Sequence, residues 1–260
     1  MVLNMLSAIG RKSAYERRFF HENKDDNLFL GDFGSFEEAR AHIPAQLAAG
    51  YDNAESAKTL YSHQIYNWDY PALFWVGQAI AGGATRVFDL GGHVGIKYYA
   101  FRRVLDMPAA LEWQVCDVPG VVQTGRELAR ERGAEGQLKF GTDFTAASGF
   151  DLLMLSGSLQ YLPLTMGELL AQLPVKPRRI VLNITAMHED RTVYTLNSLG
   201  FGVCAYRIQH HEQIQKEIVD AGYRRRDGWR NEGKPIEIPF VEGGDRAYYG
   251  GGCFDLAQGR

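Results

Sequence analysis

Cysteine is scarce in this chain. Its 260 residues hold three, Cys116, Cys204 and Cys253, far apart and without a CxxC pair. Neither a zinc site of that kind nor a disulfide scaffold is encoded, and the thiols suit a reducing compartment. A basic surplus is missing as well: 28 Lys and Arg stand against 31 Asp and Glu, a formal net charge of -3. Neutralising phosphates needs an excess of cations, so nucleic acid is not the expected partner, and the run Arg224-Arg225-Arg226 reads as a solvated strand face. No segment is long and apolar enough to span a bilayer, and the apolar stretch within Met1–Ser13 precedes Arg11 and Lys12, the reverse of a secretory signal. The expectation is a cytoplasmic chain with no membrane partner. Internal repeats and low-complexity linkers are absent too, which removes repeat architectures.

What is present is enough apolar content, 45%, to fill one generous core. The chain divides near Gly82-Gly83 into a helical N-terminal cap or lid, residues 1–83, and an alternating strand-helix part, residues 84–260. In the first part Ser35 and Glu38 stand in a capping-box arrangement, and Ala39, Ile43, Leu47 and Ala48 recur at helical spacing until Gly50, with Pro44 kinking or splitting the helix. A second helix is predicted over Asn53 to Gln64. A third begins with Pro71 and runs through Leu73, Phe74, Val76 and Ile80 to the glycine pair.

From Thr85 onward, short runs rich in Val, Leu and Ile alternate with helix-length segments, the pattern of an α/β fold with a parallel sheet. The predicted strands are Arg86 to Leu90, Trp113 to Asp117, Leu138 to Gly141, Leu152 to Leu155 and Ile180 to Ile184. Helices should follow Val94, Gly120, Leu164 and His211. Two closing strands, near Tyr223 to Trp229 and Ala247 to Phe254, complete a doubly wound, mostly parallel sheet of about seven strands. The connection from about 185 to 209 is long, which marks it as a substrate-binding insertion. Ligands of such sheets bind beyond the carboxyl ends of the strands.

At the end of the first core strand lies Asp89-Leu90-Gly91-Gly92-His93-Val94-Gly95, a glycine turn opening a helix. Glycine lets the backbone approach a ligand, and an anionic side chain just before the turn suits a ligand with a cationic amino group better than a bare pyrophosphate. The second strand ends in Asp117, 22 residues beyond Gly95, about the offset at which a carboxylate reaches ribose hydroxyls. The third leads into Gly141-Thr142-Asp143-Phe144, where a carboxylate beside a ring can accept from an adenine amine while the ring packs on the base. Asp117 and Asp143 are each also placed to cap the following helix, and the loop at Asp89 is also readable as a tight turn with no ligand.

The order Asp-x-Gly-Gly-x-x-Gly, an acidic end to strand two, then Gly-x-Asp-Phe, resembles the class I S-adenosylmethionine-dependent methyltransferases over roughly Thr85 to Gly222. Gly50-Tyr51-Asp52, the Gly-Gly loop and Ser156-Gly-Ser-Leu-Gln-Tyr-Leu162 narrow this to a bacterial branch of that superfamily associated with polysaccharide and natural-product biosynthesis, and extend the match from about Phe29. The resemblance implies a Rossmann-like seven-stranded sheet with an antiparallel last strand. It also implies S-adenosylmethionine as cofactor, S-adenosylhomocysteine as product, and cofactor contacts at Asp89, Gly91, Asp117 and Asp143. Gly92, His93, Gly95, Val118, Phe144 and Ser156 lie around those positions and complete the candidate cofactor set. One departure is His93, which stands where many methyltransferases have the central glycine and whose Cβ would crowd the turn.

Methyl transfer from a sulfonium is an in-line displacement, so alignment does most of the work and a base is needed only where the nucleophile must lose a proton. The segment after strand four points to Gln160 and Tyr161 beside the transferring methyl group. Among seven histidines, His63 in an aromatic-polar stretch and His188 in the long connection are the candidate bases, so the catalytic set is His63, Tyr161 and His188. Tyr66, Gln160, Tyr194, Tyr206, Arg207 and His210 form the candidate substrate set, with Arg207 offering a fork for a carboxylate. His188-Glu189-Asp190 is a weak metal trio, and no metal is expected. The expected activity is methylation, on oxygen first, of a small molecule. The alternatives are a non-catalytic or non-methylating cofactor-binding subunit that partners another enzyme, and a nicotinamide-dependent oxidoreductase. The aromatic-rich N-terminal helices serve equally as a lid or a homodimer face.

Overall fold

The computed structural model describes residues 2–24, 26–47, 64–200 and 202–257, with side chains from residue 10 onward. After helix α1 (Val2–Arg17) and a short π-helical turn, strand β1 (Leu28–Phe33) and helix α2 (Phe36–Ala41) precede the core. Ser35 caps α2 by accepting from the Glu38 amide at 3.0 Å, while the Glu38 carboxylate takes the Gly34 amide at 2.8 Å. Pro44 does split the predicted long helix: α2 ends at Ala41, and a 3₁₀ turn follows at Ala45–Leu47. The predicted helix Asn53–Gln64, and His63 within it, lie outside the described residues save for Gln64. Helix α3 (Tyr70–Ala81) has its proline in the first turn and stops at Gly82, as its spacing predicts.

The core then alternates: β2 (Arg86–Leu90), α4 (Ile96–Phe101), β3 (Glu112–Cys116), α5 (Pro119–Glu131), β4 (Leu138–Gly141), β5 (Leu152–Ser156), α6 (Met166–Ala171), β6 (Arg179–His188), β7 (Val193–Ser198), β8 (Val203–His210), α7 (His211–Asp220), β9 (Tyr223–Pro235) and β10 (Ala247–Leu256). The seven predicted strands form one sheet in the order β4-β3-β2-β5-β6-β10-β9, in which β10 runs antiparallel to both neighbours. Strands β2, β5 and β6 are buried almost along their whole length, because helices cover both faces. One apolar layer joins Val76 and Ile80 of α3, Tyr98 and Phe101 of α4 and Trp113; the other joins Leu169 of α6, Ile214 and Ile218 of α7 and Phe88.

Three strands lie beyond that seven-stranded frame. The connection from about 185 to 209 consists of an extension of β6 to His188 followed by the hairpin β7–β8, and β1 pairs with β7 to make a small antiparallel sheet. That sheet joins the core where Met187–His188 pair with Gln209–His210. A third apolar layer, with Phe29, Tyr206, Ile236 and Tyr249, fills the space between. The N-terminal region therefore contributes a strand as well as helices. Among the described residues, no helix is long and apolar enough to cross a membrane.

Candidate active site

Strand β2 pairs with β3 on one side and β5 on the other, and the chain reverses direction of travel across the sheet at that point. The crevice beyond the carboxyl ends of such strands is where doubly wound sheets take ligands. The glycine turn sits there. Gly91 and Gly95 have φ of +75° and +87°. A Cβ on Gly91 would overlap the Ser158 side chain, and one on Gly92 would stand 2.5 Å from the Asp89 carboxylate. Glycine is thus required for the turn to lie on the carboxylate and on the β5 loop at once. His93 occupies the left-handed region at φ +57°, so it adopts the backbone shape a glycine would supply rather than widening the loop.

Asp89 is buried, and burial pushes its carboxyl up to about 7, with the Trp113 hydrogen bond and the Lys97 charge opposing and the nearby Asp117 reinforcing the rise. Trp113 Nε1 donates to Oδ2 at 3.1 Å, while Oδ1 is buried with no partner. A buried carboxylate oxygen left bare in a glycine cradle is a place for a cationic group. Asp117 receives the His93 amide on one oxygen and the Val118 amide on the other, each at 2.8 Å, which fixes its carboxylate across from the turn. Asp143 caps the next turn through the Thr145 amide and hydroxyl, bonds that hold its carboxyl below the usual range. Phe144 follows it, half-buried. The His93 ring is buried with neither nitrogen partnered, and burial pushes its pKa down to about 4.

Sequence reasoning missed the floor of this crevice. The buried Asp69, just before α3, accepts from Lys97 Nζ at 2.7 Å and from the Tyr66 amide at 3.1 Å. Asn183 Nδ2 lies 3.5 Å from both Asp69 and Ser156 Oγ, and Trp229 Nε1 donates to its Oδ1 at 3.0 Å. The register of β6 against β10 shifts here, and Ile184 takes φ +49°. A β-branched residue in that region is strained, and a bulge redirects side chains. The Ile184 carbonyl receives Gln160 Nε2 at 3.2 Å, leaving Gln160 Oε1 and Thr185 Oγ1 buried without partners. The one local signal for this group was Lys97, two residues past the glycine turn.

Other candidates are held elsewhere. His188 Nδ1 accepts the Asp190 and Arg191 amides, so Nε2 carries the proton and donates to the Gly243 carbonyl at 3.0 Å. With both nitrogens spent, His188 is a structural residue and not a base. Arg207 is buried and gives its guanidinium to the Leu164 carbonyl at 2.6 Å, which removes the proposed carboxylate fork. Tyr161 donates to Asn197 at 2.9 Å and packs edge-on against Tyr206 at 4.9 Å. Tyr206 shares a hydrogen bond with Tyr249. Tyr66 stacks on Trp68 beside the Asp69 turn. Tyr194 packs with β1 and α2 in the small sheet, and the His210 ring packs against His211. No group of metal-ligating side chains occurs among the described residues.

Neither a protein-family model nor a curated protein matches the chain. Solved structures do match it. It resembles the 1,6-didemethyltoxoflavin-N1-methyltransferase of Burkholderia thailandensis, solved with 1,6-didemethyltoxoflavin and S-adenosylhomocysteine, with a TM-score of 0.53 and 16% identity over 88% of this chain and 93% of that one. A S-adenosylmethionine-dependent methyltransferase from Clostridium acetobutylicum matches with a TM-score of 0.51 and 11% identity over 82% and 98%. The fold is that of the S-adenosylmethionine-dependent methyltransferases. An O-methyltransferase family protein from Burkholderia thailandensis gives 0.51 and 18% over 87% of this chain, which spans 64% of that longer protein's length. In the methyltransferase fold, β10 is the antiparallel strand beside β6 and β9 the edge.

Proposed function

We propose that the protein is a soluble, cytoplasmic S-adenosylmethionine-dependent methyltransferase of small-molecule biosynthesis, with oxygen as the acceptor atom. The observation that carries this reading is the unpartnered Oδ1 of Asp89 at the glycine cradle. The donor set fits the cofactor: Asp89 for the amino group, the Gly91–Gly95 turn for close backbone approach, Asp117 for the ribose hydroxyls, and Asp143 with Phe144 for the adenine. When bound, the cofactor supplies a methyl group on a sulfonium. The chain's own part is to orient and exclude water, with Gln160 Oε1 and Thr185 Oγ1 offering acceptors to the substrate. A dinucleotide reading is disfavoured, because a buried carboxylate against the turn would repel a pyrophosphate.

Incubation with methyl-labelled S-adenosylmethionine and pooled small-molecule extracts tests the reading. Expected are a labelled small product and S-adenosylhomocysteine, both lost in Asp117→Ala. Cofactor binding without label transfer from any extract would instead favour the non-methylating partner subunit, and binding of NAD in place of S-adenosylhomocysteine would favour the oxidoreductase.

A further inference from the structure

Four ionisable side chains of alternating type, Asp89, Lys97, Asp69 and Lys234, act on one another beside the glycine turn. Asp89 feels the Lys97 charge, Lys97 pairs with Asp69, and Lys234 feels both Lys97 and Asp69. Lys97 and Asp69 are ion-paired to each other, and Asp89 takes its hydrogen bond from Trp113. Lys234, at the end of β9, is different: among the described residues nothing accepts a hydrogen bond from its ammonium, which stands 4.9 Å above the Tyr249 ring. It is half-buried, and burial together with the Lys97 charge lowers its pKa. A half-desolvated ammonium with only a ring beneath it wants an anion.

Its surroundings are aromatic and belong to the third apolar layer. Tyr249 is buried and hydrogen-bonds to Tyr206, whose ring packs on Tyr161. Gln160 follows β5 and Thr185 lies on β6, each nine-tenths or more buried and each with a polar oxygen unpartnered. The chemistry of the site agrees. His93 is pushed down to about 4, His188 has both nitrogens spent and Tyr161 donates to Asn197. Among the described residues none of these is suited to remove a proton, and an acceptor that arrives already ionised needs no base from them.

Resting on the methyltransferase reading, we propose that the acceptor is an acidic small molecule, a carboxylate or an ionised phenol or enol, whose negative charge is seated on Lys234 against the Tyr249–Tyr206–Tyr161 wall. Lys97 is spent on Asp69 and serves to position it.

The test is a chemical-shift titration of the protein saturated with S-adenosylhomocysteine, using acetate as the smallest carboxylate and acetamide as its neutral counterpart. Acetate should bind and acetamide should not. Lys234→Met should weaken acetate at least about tenfold, the size expected for losing the charged partner of an anion. Lys234→Arg should retain it, and S-adenosylhomocysteine affinity and the unfolding midpoint should be unchanged in both. Absence of acetate binding, equal binding in Lys234→Met, or a loss confined to S-adenosylhomocysteine in that variant would each overturn the proposal. If the wild type fails to bind S-adenosylhomocysteine yet still takes acetate at Lys234, the cofactor reading falls while the anion site stands.

Discussion

Residues of the glycine turn carry two constraints at once, a backbone shape and a neighbour. Gly91 has both, with φ +75° and Ser158 where a Cβ would go. Gly91→Ala should therefore cost a strain of about 1–2 kcal/mol for the left-handed alanine alone, plus displacement of the β5 loop. Calorimetry should show S-adenosylhomocysteine binding reduced beyond detection at concentrations that saturate the wild type. His93 carries the shape at a cost and gives its amide to Asp117. His93→Gly should keep that bond and the cofactor affinity, whereas His93→Val, β-branched in the same region, should lose about 1–3 kcal/mol in denaturant titration. The pH dependence has a sign. A ring pushed down from 6.5 to about 4 contributes stability that is present above about 6.5 and lost as pH falls towards 4. His93→Gly should flatten that acid limb.

At the scale of elements, the run Gly250-Gly251-Gly252 on β10 is what lets the β6 bulge and Trp229 share one space. A Cβ on Gly251 would overlap the Leu182 carbonyl and stand 2.5 Å from the Trp229 ring. Gly251→Ala should destabilise by about 1–3 kcal/mol and shift tryptophan fluorescence as the bond to Asn183 is lost; an unshifted spectrum would mean the bulge does not depend on that glycine. The central strands were legible because burial on both faces makes them continuous apolar runs, bounded by turn residues. Strands β1, β7 and β8 were not. Val193–Ser198 and Val203–His210 are rich in β-formers around Gly200, yet β6 outruns β5 because β10 pairs with it up to His188. Its length is set by a partner some 60 residues away, which a local pattern does not carry. The site divides in the same way. Asp89 and the glycines sit along one strand-turn-helix unit and Asp117 directly follows the next strand, so spacing exposes them. Asp69 meets Lys97 and Asn183 only through the fold, at separations of 28 and 114 residues.

For the molecule as a whole, the pH dependence of folding and of binding meets at Asp89. Its carboxyl is raised from 3.8 to about 7. The unliganded fold therefore has the full benefit of the neutral carboxyl below about pH 4 and loses it as pH rises through about 7. A cationic amino group beside Oδ1 reverses the preference and draws the proton off. Lys97 already favours the ionised form and Asp117 opposes it, while the His93 ring stays neutral across this range. Binding should therefore tighten from about pH 5.5 to about pH 7.5 and release protons in between. The most direct test is calorimetry of S-adenosylhomocysteine binding near pH 6.5 in buffers of different ionisation enthalpy, on the wild type and on Asp89→Asn. Binding with net proton release in the wild type, and loss of the release together with at least about tenfold of the affinity in the variant, is the predicted result. No binding by the wild type, or a variant with unchanged affinity and proton count, would contradict the assignment of Asp89 to the cofactor's amino group.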